Sequence, residues 1–75
     1  MGASGLIQYE WRVVPDFPEY EVNSLGYIRK TRSQVAISIH RDDRSETVQL
    51  TNNGRRFHRT VRSVVLSAFP DALYP

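Results

Sequence analysis

Asn53-Gly54-Arg55-Arg56-Phe57-His58-Arg59-Thr60-Val61-Arg62 is the stretch that decides how this chain folds. An Asn-Gly pair between strand-like runs is the strongest short-range hairpin signal, because both central residues of a type I′ turn need φ > 0. With Asn53 and Gly54 as the two loop residues, Leu50 faces Phe57, Val48 faces Arg59 and Glu46 faces Val61. On the opposite face Thr51 meets Arg56, Gln49 meets His58 and Thr47 meets Thr60. A three-residue loop would set Leu50 against Arg56 and Gln49 against Phe57, which wastes the apolar partners, and a slip moves every side chain to the other face. The two-residue turn is therefore expected. Its outer face is wholly polar: Arg56, His58 and Thr60 beside Thr47, Gln49 and Thr51. Arg59 falls on the inner side, near an edge, with its head in water.

After this hairpin the period changes. Val61, Val64, Val65, Ala68 and Phe69 follow a helical stripe. Thr60 is placed to cap the helix and Pro70 to end it. Its β-branched residues lower its propensity, so it depends on docking against a sheet. Upstream, Glu10–Val14 is a short strand-like run ended by Pro15. The loop that follows turns Phe17 inward. Tyr20–Val22 is strand-like, and Asn23-Ser24-Leu25-Gly26 is a turn with Gly26 at positive φ. Tyr27–Lys30 resumes a strand. Gln34–His40 alternates, with Val35, Ile37 and Ile39 on one face, and reads as a further strand. Arg41–Ser45 is a polar turn that takes in Asp42 and Asp43. Glu19 and Glu21 read as surface positions.

The 75 residues suit one small domain with a thin core. Residues 1–8 read as a flexible arm, 9–70 as the domain and 71–75 as a short tail. The chain has no cysteine, which excludes disulfides and thiolate metal sites. No apolar run is long enough for a membrane helix. A net charge of +2 conceals an asymmetry. In residues 1–28, Arg12 stands against Glu10, Asp16, Glu19 and Glu21. In residues 29–62, nine basic residues stand against Asp42, Asp43 and Glu46. Arginine outnumbers lysine nine to one, and its planar fork suits phosphate and base edges. The alternative is a charged surface that only solvates the sheet.

Catalytic patterns do not emerge. There is no Gly-rich phosphate loop and no nucleophile with a plausible base. His40 and His58 match no metal-ligand spacing, so neither a metal nor a cofactor is expected. Most aromatic residues are needed for the core. Tyr27, on the same strand face as Arg29, is the best candidate for stacking on a base.

Two segments resemble a known family. Glu10-Trp11-Arg12-Val13-Val14, Phe17, and Tyr20-Glu21-Val22-Asn23-Ser24-Leu25-Gly26-Tyr27-Ile28-Arg29 resemble the type-four nuclease-associated modular DNA-binding domain, the NUMOD family. Val48-Gln49-Leu50, Asn53-Gly54-Arg55-Arg56 and Val61–Phe69 are similar to the strand, Asn-Gly turn and helix that follow in homing-type HNH endonucleases. Asn23-Ser24 replaces that family's Ser-Asn. Arg62-Ser63 stands where the family has His-Arg, so a basic residue is kept. In the family the catalytic HNH unit comes after this helix and lies outside these 75 residues. The resemblance implies a non-enzymatic module of phage or mobile-element origin, in the cytoplasm of a bacterial host.

The expectation is an α+β domain: a small twisted antiparallel sheet of roughly three to five strands, with one short C-terminal helix packed on one face. The expected partner is double-stranded DNA. Arg56, His58 and Thr60 would approach base edges or phosphate, with Arg29, Lys30, Arg32, Arg55 and Arg62 neutralising backbone. The rivals are a small protein-binding module, using an exposed apolar patch or the acidic residues Glu10, Asp16, Glu19 and Glu21, and the N-terminal piece of an HNH endonuclease.

Overall fold

The computed structural model describes residues 9–71. The expectations for residues 1–8 and 72–75 lie outside them. Along the chain run β1 (Trp11–Val14), β2 (Phe17–Asn23), β3 (Ile28–Lys30), β4 (His40–Arg41), β5 (Glu46–Asn52), β6 (Arg55–Thr60) and α1 (Val61–Ala68). All strand pairs are antiparallel, and the architecture is α+β as expected. The strands divide between two three-stranded sheets, β1-β2-β3 and β4-β5-β6.

The β5–β6 hairpin forms in the register that its apolar partners require. Leu50 pairs with Phe57, Val48 with Arg59, Gln49 with His58, Thr51 with Arg56 and Thr47 with Thr60. Asn53 has φ 54° and Gly54 φ 78°, as a type I′ turn demands. The ladder stops at Thr60, so the expected meeting of Glu46 with Val61 does not occur. Val61 already belongs to α1, and Glu46 pairs with Arg41 on β4 instead.

Thr60 ends the strand and starts the helix. Its Oγ1 accepts from the Ser63 N–H at 3.1 Å, while Ser63 Oγ donates to the Thr60 carbonyl at 2.8 Å. An eight-residue helix is too short to stand alone in water. It persists because Val61, Val64, Val65 and Ala68 are buried against β1, β2, β5 and β6. At its other end, Arg12 Nη1 donates to the Ala68 carbonyl at 3.0 Å, and its guanidinium lies 4.3 Å from the Phe69 ring centroid. A cation there complements the partial negative charge of the helix C-terminus.

The first sheet is built on two tight connections. Pro15-Asp16 links β1 to β2, and the register shifts between Val13 and Val14, which brings Phe17 into the core. Between β2 and β3 the buried Asn23 side chain accepts from the N–H groups of Leu25 and Tyr27, at 3.0 and 3.1 Å. Gly26 completes that turn at φ 97°.

One core serves both sheets. Val14, Phe17, Tyr20, Val22 and Ile28 come from the first, Val48 and Leu50 from the second, and the helix face closes it with Phe69. Polar links tie the sheets where β2 meets β5. The Thr51 N–H donates to the Tyr20 hydroxyl at 3.2 Å, and Asn52 Nδ2 donates to the Asp16 carbonyl at 2.9 Å.

Residues 34–40 do not form the continuous strand that their alternation suggests. Gln34 sits at φ 64°, and its N–H donates to the Lys30 carbonyl. The segment then pairs briefly with β3, through an Arg29–Ala36 bridge and the Ile37 N–H to the Ile28 carbonyl. By His40 it has joined β5 in the other sheet. A segment that serves two sheets in succession cannot stay in one ladder. Ile37 and Ile39 still pack on the core, whereas Val35 is exposed.

Nothing lies within 4 Å of a Cβ built on Gly54. Gly54→Ala therefore tests backbone conformation without a packing change. It is expected to destabilise the fold by about 1 to 2 kcal/mol, the strain of a left-handed residue with a Cβ. Urea unfolding should show a lower midpoint with an unchanged slope. A variant as stable as the parent would contradict the positive-φ turn.

Candidate nucleic-acid interface

Pairing in β5–β6 sorts the hairpin's side chains into two sets. Inward are Val48, Leu50 and Phe57; the last is half-buried and edge-on to Phe17, with ring centroids 5.4 Å apart. Outward, in successive rows, are Thr51 with Arg56, Gln49 with His58, and Thr47 with Thr60. Gln49, Arg56 and His58 are exposed. Arg55 is exposed beside the turn. The Thr60 hydroxyl is engaged as the helix cap.

Arg59 lies on the inner side, as the register requires, and remains exposed. Its guanidinium rests 5.2 Å from the Phe57 ring centroid and 5.6 Å from that of Phe17, and donates to the His58 carbonyl at 2.9 Å. This arginine covers aromatic surface.

β4 touches β5 only at Thr47 and Glu46, opposite His40 and Arg41. Towards the Asn53–Gly54 turn the ribbon is therefore two strands wide. An open depression of about 470 Å³ lies where residues 38–40 run beside it, lined by Ser38, Ile39, His40, Thr47, Val48, Gln49 and His58. Both histidines reach it, and no carboxylate lines it. Two of the nearby acids, Glu46 and Asp42, are engaged elsewhere. Glu46 pairs with Arg41 at 2.8 Å. Asp42 Oδ1 accepts from the N–H groups of Arg44 and Ser45, both at 2.9 Å. Those two bonds hold its carboxyl below the ordinary range, with a smaller contribution from His40. Among the described residues no three His, Cys, Asp or Glu side chains converge on a metal position.

The other expected phosphate contacts scatter. Arg29 is not a free cation. Its Nε donates to Glu21 Oε2 at 2.6 Å, and its guanidinium stacks 3.7 Å from the Trp11 ring centroid. Gln34 Nε2 reaches the same Glu21 oxygen at 3.3 Å. Glu21, expected at the surface, is buried. Arg29 and Gln34 hydrogen-bond its carboxylate, and the Trp11 ring lies against the Arg29 guanidinium. Lys30 and Arg32 line a separate shallow depression with Glu19 and Ser33. Arg62 is exposed in the first turn of α1.

Two of the four acids of the N-terminal half are neutralised as well. Glu10 pairs with Arg12 at 2.9 Å and Glu21 with Arg29. Tyr27 is exposed on the outer face of the first sheet, where strand alternation also puts Val13. Among the described residues no helix is long and apolar enough to cross a membrane.

The chain matches no protein-family profile, no curated protein and no solved structure.

The Glu21–Arg29 pair carries a stability prediction. Arg29→Ala leaves a carboxylate whose side chain is only 12% exposed without its partner. A fully buried pair broken in this way loses about 3–5 kcal/mol. With Arg29 26% exposed, the expected loss is nearer to about 2 kcal/mol. Replacing both residues by apolar ones, Glu21→Leu with Arg29→Met, should lose less than the single variant in urea unfolding. A single variant with parental stability would show that the pair holds nothing.

Proposed function

We propose that this chain is a non-catalytic module that binds double-stranded DNA through the outer face of β5–β6. The observation that carries the reading is the sorting of charge. A two-stranded ribbon presents Arg56, His58 and Gln49 outward, with Arg55 at its tip, while Glu46 and Asp42 beside it are tied up in an ion pair and a turn. A ribbon of this width fits the major groove of B-DNA. The resemblance to NUMOD domains points the same way, since cleavage there belongs to a separate HNH unit. A phage or mobile-element origin and a host-cytoplasmic setting belong to the same proposal.

Arg29 is left out of the contact set, because its guanidinium is engaged by Glu21 and Trp11. The candidates for phosphate are Arg55, Arg62, Lys30 and Arg32, all exposed.

A second reading, a protein-binding module, is favoured by exposed Tyr27 and Val13 on the first sheet. A protein partner captured through that face should survive nuclease treatment. A DNA-bridged one should not.

Three or four neutralised phosphates would make log K fall with log salt at a slope of about −3 to −4. Titrating a labelled duplex by fluorescence anisotropy across a salt series measures it. Arg55→Ala should flatten the slope by about one, while Arg29→Ala leaves it unchanged. Absence of binding to any duplex at low salt would overturn the proposal.

A further inference from the structure

Resting on the DNA-binding reading, we infer that Gln49 and Arg56 are the specificity-determining pair of the ribbon, reading an adenine and a guanine two base-pair steps apart in the major groove. Both side chains are exposed on the same outer face, on adjacent strands. Among the described residues Arg56 joins none of the ion pairs, which engage Arg12, Arg29 and Arg41. Three other arginines are thus engaged by carboxylates, whereas the fork of Arg56 joins no ion pair.

The chemistry of the two side chains selects the bases. Arginine donates two parallel hydrogen bonds to guanine O6 and N7. The glutamine amide both donates and accepts, which matches adenine N7 and N6. The register selects their spacing. Gln49 pairs with His58, and Arg56 lies two residues along β6 from His58. Gln49 and Arg56 are thus diagonal neighbours on adjacent strands, roughly 7 to 8 Å apart. Two steps of a B-DNA strand span roughly 6.8 Å, a difference that two long side chains close. Gln49 and Arg56 are therefore placed to reach bases two steps apart. Thr51, opposite Arg56, is placed to touch a neighbouring thymine methyl group.

The same geometry discriminates against duplex RNA. The A-form major groove is too deep and narrow for side chains to read, so base contact by this ribbon requires B-form DNA.

Selection from a randomised duplex pool, followed by competition binding at one fixed salt concentration, tests the inference. The parent should enrich guanine and adenine two steps apart, each favoured by roughly ten- to a hundredfold over the wrong base. Arg56→Met removes the donors to guanine O6 and N7. It should abolish the guanine preference, while mixed-sequence duplex, held by the phosphate contacts, loses far less affinity. Gln49→Ala should abolish the adenine preference and leave the guanine one intact. Equal binding to all duplexes would overturn this inference and leave the DNA-binding reading standing, and so would a uniform loss of affinity in either variant with the preferences unchanged. Equal binding to duplex RNA of the selected sequence would also overturn it. Failure of the parent to bind any duplex would remove the DNA-binding reading, and the base assignment with it.

Discussion

Two residues held at positive φ, Asn53 and Gly54, set the register of the longest hairpin, and the rest of the structure follows from that register. One step of slippage would set Leu50 against Arg56, bringing Arg56 and His58 to the core face and turning Phe57 into water. With the turn fixed, Val48 and Leu50 reach the core, and Thr60 arrives where its hydroxyl can cap α1. The helix is then delivered straight back across both sheets. The polar outer face is the complement of the same pairing. Core and candidate interface are two sides of one ribbon, so a change in register cannot alter one without destroying the other.

A domain of this size has few apolar residues to spare, and polar bonds supplement the shared core at the junctions. The Tyr20 hydroxyl ties β2 to β5, the Asn52 amide ties β5 to the β1–β2 turn, and Arg12 closes the C-terminus of the helix. Each satisfies a backbone group at a junction between elements. The Tyr20 and Arg12 bonds contribute modestly when formed but are costly to lose, because a part-buried donor or acceptor is then left without a partner, whereas the Asn52 bond is exposed. Arginine serves this fold in two ways. Arg12, Arg29 and Arg59 lie over aromatic rings and carry out structural tasks. Arg55, Arg56 and Arg62 extend into solvent. Counting arginines therefore overstates the charge on offer, and the register identifies which of them remain free.

What could be read in advance was local. The Asn53–Gly54 turn, the helical stripe from Val61 to Phe69, the Thr60 cap, the Gly26 turn and the inward Phe17 each depend on residues close together in the chain. The Glu21–Arg29–Trp11 stack and the contact of Arg12 with Ala68, 56 residues away, depend on which strands become neighbours. No spacing rule reveals that. Residues 34–40 failed for a related reason. Alternation reports which side chains face the core, and Ile37 and Ile39 do face it. It does not report whether the backbone stays with one partner strand, and here it changes sheets. In the candidate interface, the outer face of the hairpin could be derived from its sequence, whereas the engagement of Arg29 required the tertiary structure.

On the proposed function, the outer face of β5–β6 is the surface that meets DNA. Residue-resolved NMR of the chain titrated with a duplex tests it most directly. The largest shifts are expected on Gln49, Thr51, Arg55, Arg56 and His58, with Trp11, Val13, Glu21 and Tyr27 unmoved. Shifts concentrated on the outer face of the first sheet, with the hairpin silent, would contradict it.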